Sequence, residues 1–270
     1  SFFNKGTASS PIPYPLFIAR TGDTTPKVQP IVAAPTPFVG PTVGGVESFY
    51  VAIGTGKYLE SGDNISTTQQ SFYVVYDNGS AAADGSPIAS AISGRGRLAA
   101  GTVNTTTRTV TVNAFKWGRP ASNTDTTQRA GWYFDLPDSG ERIDQAALNV
   151  GSLYAAVNSK IPGSTAAGAG SCTNTLGGGN QYFLNINNGS GTYTPSTMGL
   201  LGQPVMLTSD DETVVSKSDS TGKRIRTVTH RRFSAAQDGI DTRAAPVTTK
   251  ETIRRLSWRQ IFNYQDMKNK

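Results

Sequence analysis

A chain of 270 residues with 29 Gly, 15 Pro, only 36% hydrophobic side chains and a formal net charge of +6 has the composition of many short strands joined by turns, not of a helical core. One His and one Cys exclude a zinc site built on imidazole and thiolate ligands. No stretch approaches the roughly 18 uninterrupted apolar residues of a membrane-spanning helix.

In chain order, residues 1–27 are expected to be an entry loop, with Pro11, Pro13 and Pro15 followed by a Thr-Gly-Asp-Thr-Thr-Pro run. The β-branched and aromatic run Val46 to Ile53 predicts a strand, which Gly54 and Gly56 break. A second run from Ser71 to Tyr76 predicts another, ending in the turn sequence Asp77-Asn78-Gly79. Strand clusters fall around 28–76, 98–136, 146–187 and 203–233, so residues 28–248 are expected to hold the sheets. The segment 158–179, with Pro162 and the Gly- and Ala-rich surroundings of Cys172, is expected to be a long surface loop. The basic segment 249–270 closes the chain. Thr249 to Asn263 spaces Ile253, Leu256, Trp258, Ile261 and Phe262 at near-helical intervals, which predicts a short helix, with a closing strand as its competitor.

Candidate chemistry is sparse. A catalytic triad would need His230, which lies inside the basic run Thr227 to Arg232 and is expected to be a neutral strand residue. Cys172 has no Lys, Arg or His within ten residues to stabilise a thiolate, and is expected to be a loop residue. No segment carries the alternating oxygen ligands, bend glycine and closing Glu of a calcium loop, and Gly177-Gly178-Gly179 lacks the Lys-Ser/Thr of a phosphate loop. Neither catalytic, cofactor-binding nor metal-ligating residues are therefore assigned. Aromatics come in adjacent pairs (Phe49/Tyr50, Phe72/Tyr73, Trp132/Tyr133, Tyr182/Phe183). On a strand, neighbours face opposite ways, so one of each pair is expected in a core; a subset left on one face could stack against sugar rings.

Charge is uneven. Residues 217–270 hold thirteen Lys or Arg against five Asp or Glu, a surplus of eight, whereas residues 1–216 hold twelve against fourteen. Arg254, Arg255 and Arg259 with the apolar anchor Trp258 are the candidate partner-binding residues of this tail. The plainer alternative is a solvated edge that discourages strand pairing between chains. Nucleic acid is not an expected partner, because aromatics are not interleaved with the basic residues as a stacking platform needs.

Beyond single elements, an ordered set of short motifs runs nearly the whole length. It comprises Pro15-Leu16-Phe17-Ile18-Ala19-Arg20, Gln29-Pro30-Ile31, Gly54-Thr55-Gly56-Lys57-Tyr58-Leu59 with Gln70-Ser71-Phe72-Tyr73, and Gly131-Trp132-Tyr133-Phe134-Asp135-Leu136-Pro137-Asp138-Ser139-Gly140-Glu141-Arg142. Cys172, Leu201-Gly202-Gln203-Pro204-Val205, Asp219-Ser220-Thr221-Gly222-Lys223-Arg224 and Leu256-Ser257-Trp258-Arg259-Gln260 complete it. In this order the motifs resemble the C-terminal propeller domain of PilY/PilC-type proteins, the adhesins at the tips of bacterial type IV pili.

The resemblance implies an all-β fold: the C-terminal part of a β-propeller, about three to four antiparallel blades with long loops, cut from a longer secreted protein. It implies a non-enzymatic role in pilus biogenesis and surface attachment, promoting assembly and opposing retraction. Expected partners are pilin or minor pilins, the rest of the protein's own chain, and a host or abiotic surface. The expected location is the bacterial cell surface, at the pilus tip or associated with the outer membrane. Calcium, which the resemblance implies for full-length relatives, would sit elsewhere in the full-length protein. The alternatives are a lectin-like or structural secreted propeller and, less in keeping with the residues, a quinoprotein-type dehydrogenase, whose Trp-docking repeats and catalytic carboxylates are missing.

Overall fold

All seven residues of the strand Ser71–Asp77 are buried, so its two faces must pack against different layers. Phe72, Val74 and Tyr76 enter one apolar cluster, and Tyr73 and Val75 enter another. The structure, a computed structural model, describes residues 3–4, 13–14, 16–40, 48–77, 92–118, 127–151, 153–163, 177–209, 215–216, 224–242 and 244–253. The chain divides into two units, Ser1–Met206 with Arg232–Ala245, and Leu207–Arg231 with Pro246–Lys270.

The first unit is built from two four-stranded antiparallel sheets. Sheet one runs Thr36–Val39, Phe49–Gly54, Ser71–Asp77, Gly131–Asp135 in spatial order. Sheet two is the meander Leu148–Val150, Tyr154–Asn158, Asn180–Asn185, Gly191–Pro195. The hairpin of Ala99–Asn104 and Thr109–Val112 joins them, pairing parallel to Gly131–Asp135 and antiparallel to Gly191–Pro195. Ten strands thus lie on one hydrogen-bonded path. Its ends approach each other, with the Thr36 hydroxyl donating to the Ala147 carbonyl at 2.9 Å.

Between the sheets lies an aromatic core of Tyr50, Phe72, Trp132, Phe134, Tyr182 and Tyr193 with aliphatic neighbours. Phe134 meets Tyr182 at 5.5 Å between ring centroids, and Tyr182 meets Tyr193 at 5.2 Å. The continuous ten-stranded path closes most of the way around this layer, a barrel-like sheet consistent with a β-propeller-like domain. The far face of sheet one is covered by the parallel pair Phe17–Ile18 and Ile92–Ser93 with Leu98 and Ala130. Part of the expected entry loop is therefore a packed layer: Phe17 and Ala19 are buried there, and Arg20 bridges to Val28.

The adjacent aromatics divide as alternation predicts. Tyr50 is buried while Phe49 is 46% exposed; Trp132 and Tyr133 enter different clusters. Phe183 leaves the main core and stacks on Tyr154 at 5.0 Å.

Within the second unit, Val247–Ile253 pairs antiparallel with the first half of Arg224–Ala236, from Ile253 opposite Arg224 to Val247 opposite His230. This corrects the expected C-terminal helix. Its first five residues, Thr249 to Ile253, are strand, and the remainder lies outside the described residues. The physical reason is local: Val247, Thr248, Thr249, Thr252 and Ile253 are β-branched, and a ready partner strand satisfies their backbone groups. Among the described residues the one helical piece is a 3-10 turn, Asp63–Ile65, and no helix is long and apolar enough to cross a membrane.

Candidate functional site

The motif residues that stand apart in the sequence converge on three polar clusters of the first unit. Arg142 is the hub of one. Its Nε donates to Gly140 O at 2.9 Å, Nη1 to Lys57 O at 2.9 Å and to Asp63 O, and Nη2 to Ser66 O at 3.0 Å. One guanidinium thus fixes the backbone of the loop after Gly56, and burial holds it below the usual arginine range. Asp63 folds the same loop from within, its Oδ2 accepting from Leu59 N at 2.8 Å and Glu60 N at 2.9 Å. Those backbone bonds hold its carboxyl below the usual range. Lys57 Nζ lies 2.7 Å from Glu60 and 3.5 Å from Asp63. The cleft beside them, about 260 Å³, is lined by Lys27, Pro30, Lys57, Asp63, Gln70 and Arg142. Since Arg142 and Lys57 are committed to the loop, the cleft is the seam of a folded loop.

Gly56 makes this packing possible. Its φ is +113°, and a Cβ there would lie 2.4 Å from Arg142 Cβ. Gly56→Ala is expected to cost about 2 kcal/mol through backbone strain and the displaced Arg142. Urea denaturation checks it; an unchanged midpoint would mean that the loop yields without releasing Arg142.

The second cluster ties strand to entry segment. Arg95 forms a bidentate pair with Asp135, Nη1 to Oδ2 at 3.0 Å and Nη2 to Oδ1 at 2.6 Å. It also donates from Nη2 to Ser71 Oγ at 2.7 Å and from Nε to Arg20 O at 2.9 Å, and lies 4.5 Å from the Tyr133 ring centre. The carboxylate holds its guanidinium above the usual range against the desolvation that would lower it. The Tyr73 hydroxyl meets Gln29 Oε1 and Arg20 O, and Gln29 Nε2 donates to Ser71 Oγ at 3.0 Å and Gln69 O at 2.9 Å. Arg95 was not among the residues singled out from sequence. Its signal, Ser93-Gly94-Arg95-Gly96-Arg97, has the composition of a solvated loop.

Glu141 anchors the third. It is 1% exposed, and its Oε1 accepts from Ser159 Oγ, from Asn180 Nδ2 at 2.9 Å and from the Tyr182 hydroxyl at 2.7 Å, while Oε2 accepts from Asp138 N at 3.1 Å. Burial pushes its carboxyl up against the pull of those four donors. With three donors on Oε1 and one on Oε2, all from protein, this is a fold-holding carboxyl.

The sequence candidates fall elsewhere. Arg254, Arg255, Trp258 and Arg259 lie outside the described residues, as does Cys172. His230 is buried, with Nε2 2.7 Å from Thr249 Oγ1, a cross-strand partner. Arg232, counted with the basic tail, is 3% exposed. It lies 5.3 Å from the Phe183 ring centre, donates to Gln181 O at 3.3 Å, and has its pKa lowered to about 10 by burial. That charge belongs to the core, which removes one residue from the tail's basic surface. Among the described residues no three His, Cys, Asp or Glu side chains come together.

Comparison with known protein families and with curated proteins finds no match. Among solved structures, the chain is similar to the crystal structure of the Pseudomonas aeruginosa PilY1 C-terminal domain, at 17% identity and a TM-score of 0.47. The similarity covers 84% of this chain and 46% of that one, so the chain spans about half the length of that structure.

Proposed function

We propose that this chain is the C-terminal propeller portion of a type IV pilus tip-associated adhesin and assembly factor, a binding and assembly module and not an enzyme. The observation that supports this reading is the convergence of the ordered motifs. Arg20, Gln29, Gly56, Gln70–Tyr73 and the 131–142 segment lie far apart in sequence. In the first unit they interlock through Arg142, Tyr73 and Asp135. The motifs thus act as one structural unit, as the resemblance implies for a single domain. In this role the domain acts at the cell surface, contacts pilin or minor pilins and the rest of its own chain, and presents a surface to host or substratum. Calcium, where it is used, belongs to another part of the longer protein.

Deletion of this segment from its parent protein is expected to abolish or sharply reduce surface pili and attachment, with restoration on complementation. Normal pilus numbers and normal attachment in the deletion strain would overturn the reading. Docking through the basic tail is tested separately by reversing Arg254, Arg255 and Arg259 to Glu together. Long-range attraction is screened as the Debye length falls from about 10 Å at 0.1 M salt to about 3 Å at 1 M. The triple variant is therefore expected to lower pilus display most at low salt while the far-UV spectrum stays that of a β protein. Unchanged display across salt would make the tail a solvated edge.

A further inference from the structure

Among the described residues, the hairpin that joins the two sheets and the turn after Asn180–Asn185 bound an open cleft of about 380 Å³, within the roughly 300–1,000 Å³ of small-molecule sites. Phe115, Trp117, Thr111, Val112, Asn187 and Asn188 line it, together with Ala114 and Ser190, and every one of these side chains is uncharged. The lining therefore offers no charge to pair with an ionic ligand.

The aromatic wall is fixed from behind. Trp117 packs on Tyr50 at 4.3 Å and meets Phe115 edge-on at 4.9 Å, and its indole N–H donates to Asn187 O at 2.8 Å. Both rings nevertheless remain only partly buried. The polar wall is fixed as firmly. Asn185 Oδ1 accepts from the backbone N–H groups of Asn187 and Asn188 at 2.9 and 3.3 Å. Gly189 occupies φ +72°, where a Cβ would strike Val112 and Trp132. Asn188 Oδ1 accepts from Ser190 N at 3.0 Å. A backbone N–H can only donate, so the amide orientation is settled and Nδ2 is left as an outward donor. Asn187 Oδ1 is likewise engaged by the Tyr50 hydroxyl at 3.1 Å. Both asparagines are exposed.

We infer that this cleft is a binding site for neutral saccharide. A pyranose offers an apolar C–H face to Phe115 and Trp117 and a rim of hydroxyls to the two amide Nδ2 groups, the donors that the turn holds ready. Grooves for proline-rich peptides rely instead on a free indole N–H, and here that donor is committed to Asn187 O. An anionic sugar would instead find a cationic side chain, Lys116, in the neighbouring cleft of about 630 Å³, which shares Ala114 and Phe115 with this one. The inference deepens the surface-attachment part of the proposed function; it rests on that reading only for where the sugar is met, not for the binding itself.

The test is saturation-transfer NMR with tryptophan-emission titration on the full chain. Its probes are maltohexaose, cellohexaose and lacto-N-tetraose as neutral ligands, with 3′-sialyllactose, a heparin hexasaccharide and a proline-rich peptide as competitors. At least one neutral probe is expected to saturate, with the same affinity at about 0.15 M and about 1 M salt. Asn188→Asp keeps the acceptor for Ser190 and removes the outward donor; it is expected to weaken binding about tenfold. Phe115→Ala is expected to do the same by removing half of the aromatic wall. No saturation by any neutral probe, preference for an anionic probe or the peptide, or binding unmoved by both variants would each overturn the inference. Surface pilus counts in a strain carrying Asn188→Asp separate the two readings: they are expected to stay normal, so lost sugar binding and a failed pilus assignment give different results.

Discussion

Trp132→Ala is expected to destabilise the first unit by about 3–5 kcal/mol. Trp132 is wholly buried, 5.9 Å from Phe72 and 6.4 Å from Phe134 between ring centroids, at the middle of the layer that both sheets share. Its indole N–H donates at 2.8 Å to Ile186 O, so one side chain of sheet one also holds the turn between the last two strands of sheet two. The truncation removes apolar burial and leaves a cavity. Trp132→Phe separates the terms. Most of the packing stays, while the buried Ile186 carbonyl loses its donor, for about 1–2 kcal/mol. At roughly 2–4 °C per kcal/mol for a unit of this size, the alanine variant is expected to melt about 10 °C lower. A melting curve within a degree or two of the parent's would mean that the two sheets do not depend on this layer. A secondary effect follows from the same bond. With the Ile186 tether gone, the Asn185 to Ser190 turn loses its brace, and the aromatic cleft beside it should loosen before the sheets do.

Individual strands are legible in the sequence; their pairing is not. Phe49–Gly54 and Ser71–Asp77 stand out because β-branched and aromatic residues run without interruption between glycines and turn residues. Gly131–Asp135 is just as clear as a strand, yet reading by proximity groups it with 98–112. It pairs antiparallel along its length with Ser71–Asp77, some sixty residues away, and only briefly and in parallel with Ala99 and Ala100. Nothing local to either segment encodes that choice. It follows from which faces must be buried, and the strand buried on both faces takes the centre.

Charged residues mislead for a related reason. Arg95 sits in a Gly-rich run and Arg232 in a basic run, surroundings that favour solvation. One is recruited by Asp135, forty residues on, and the other by the ring of Phe183. The C-terminal segment shows the opposite failure. Spacing counted from Ile253 onward suggests a helix, but the β-branched stretch up to Ile253 already has a partner strand, and pairing outweighs weak periodicity. The cleft aromatics were within reach: Phe115 and Trp117 are two residues apart, which in an extended segment puts both rings on one side.

Glu141→Ala is expected to cost about 4 kcal/mol, and Glu141→Gln clearly less. The alanine leaves Ser159, Asn180, Tyr182 and the Asp138 N–H without their common acceptor in a site closed to water, each a loss of about 1–3 kcal/mol that overlaps with the others. Glutamine can keep Oε1 for three of the four, but turns an N–H toward the donor at Asp138. The two variants also differ from the parent in pH dependence. Because burial raises the native carboxyl of Glu141 above its ordinary value of about 4.3, the folded chain keeps a proton that the unfolded chain has already released. Across that interval the native state binds more protons, so this group's contribution to stability falls as pH rises, and is lowest once pH passes the raised native value. Neither glutamine nor alanine titrates. Asp63, whose lowered carboxyl gives stability that is lost on acidification, is present in all three proteins and cancels in the comparison. Urea midpoints measured from pH 4 upward should therefore show the parent's advantage over Glu141→Gln shrinking as pH increases. A constant gap would mean that the four donors hold Glu141 ionised throughout, and a gap that widens would reverse the sign assigned to its burial.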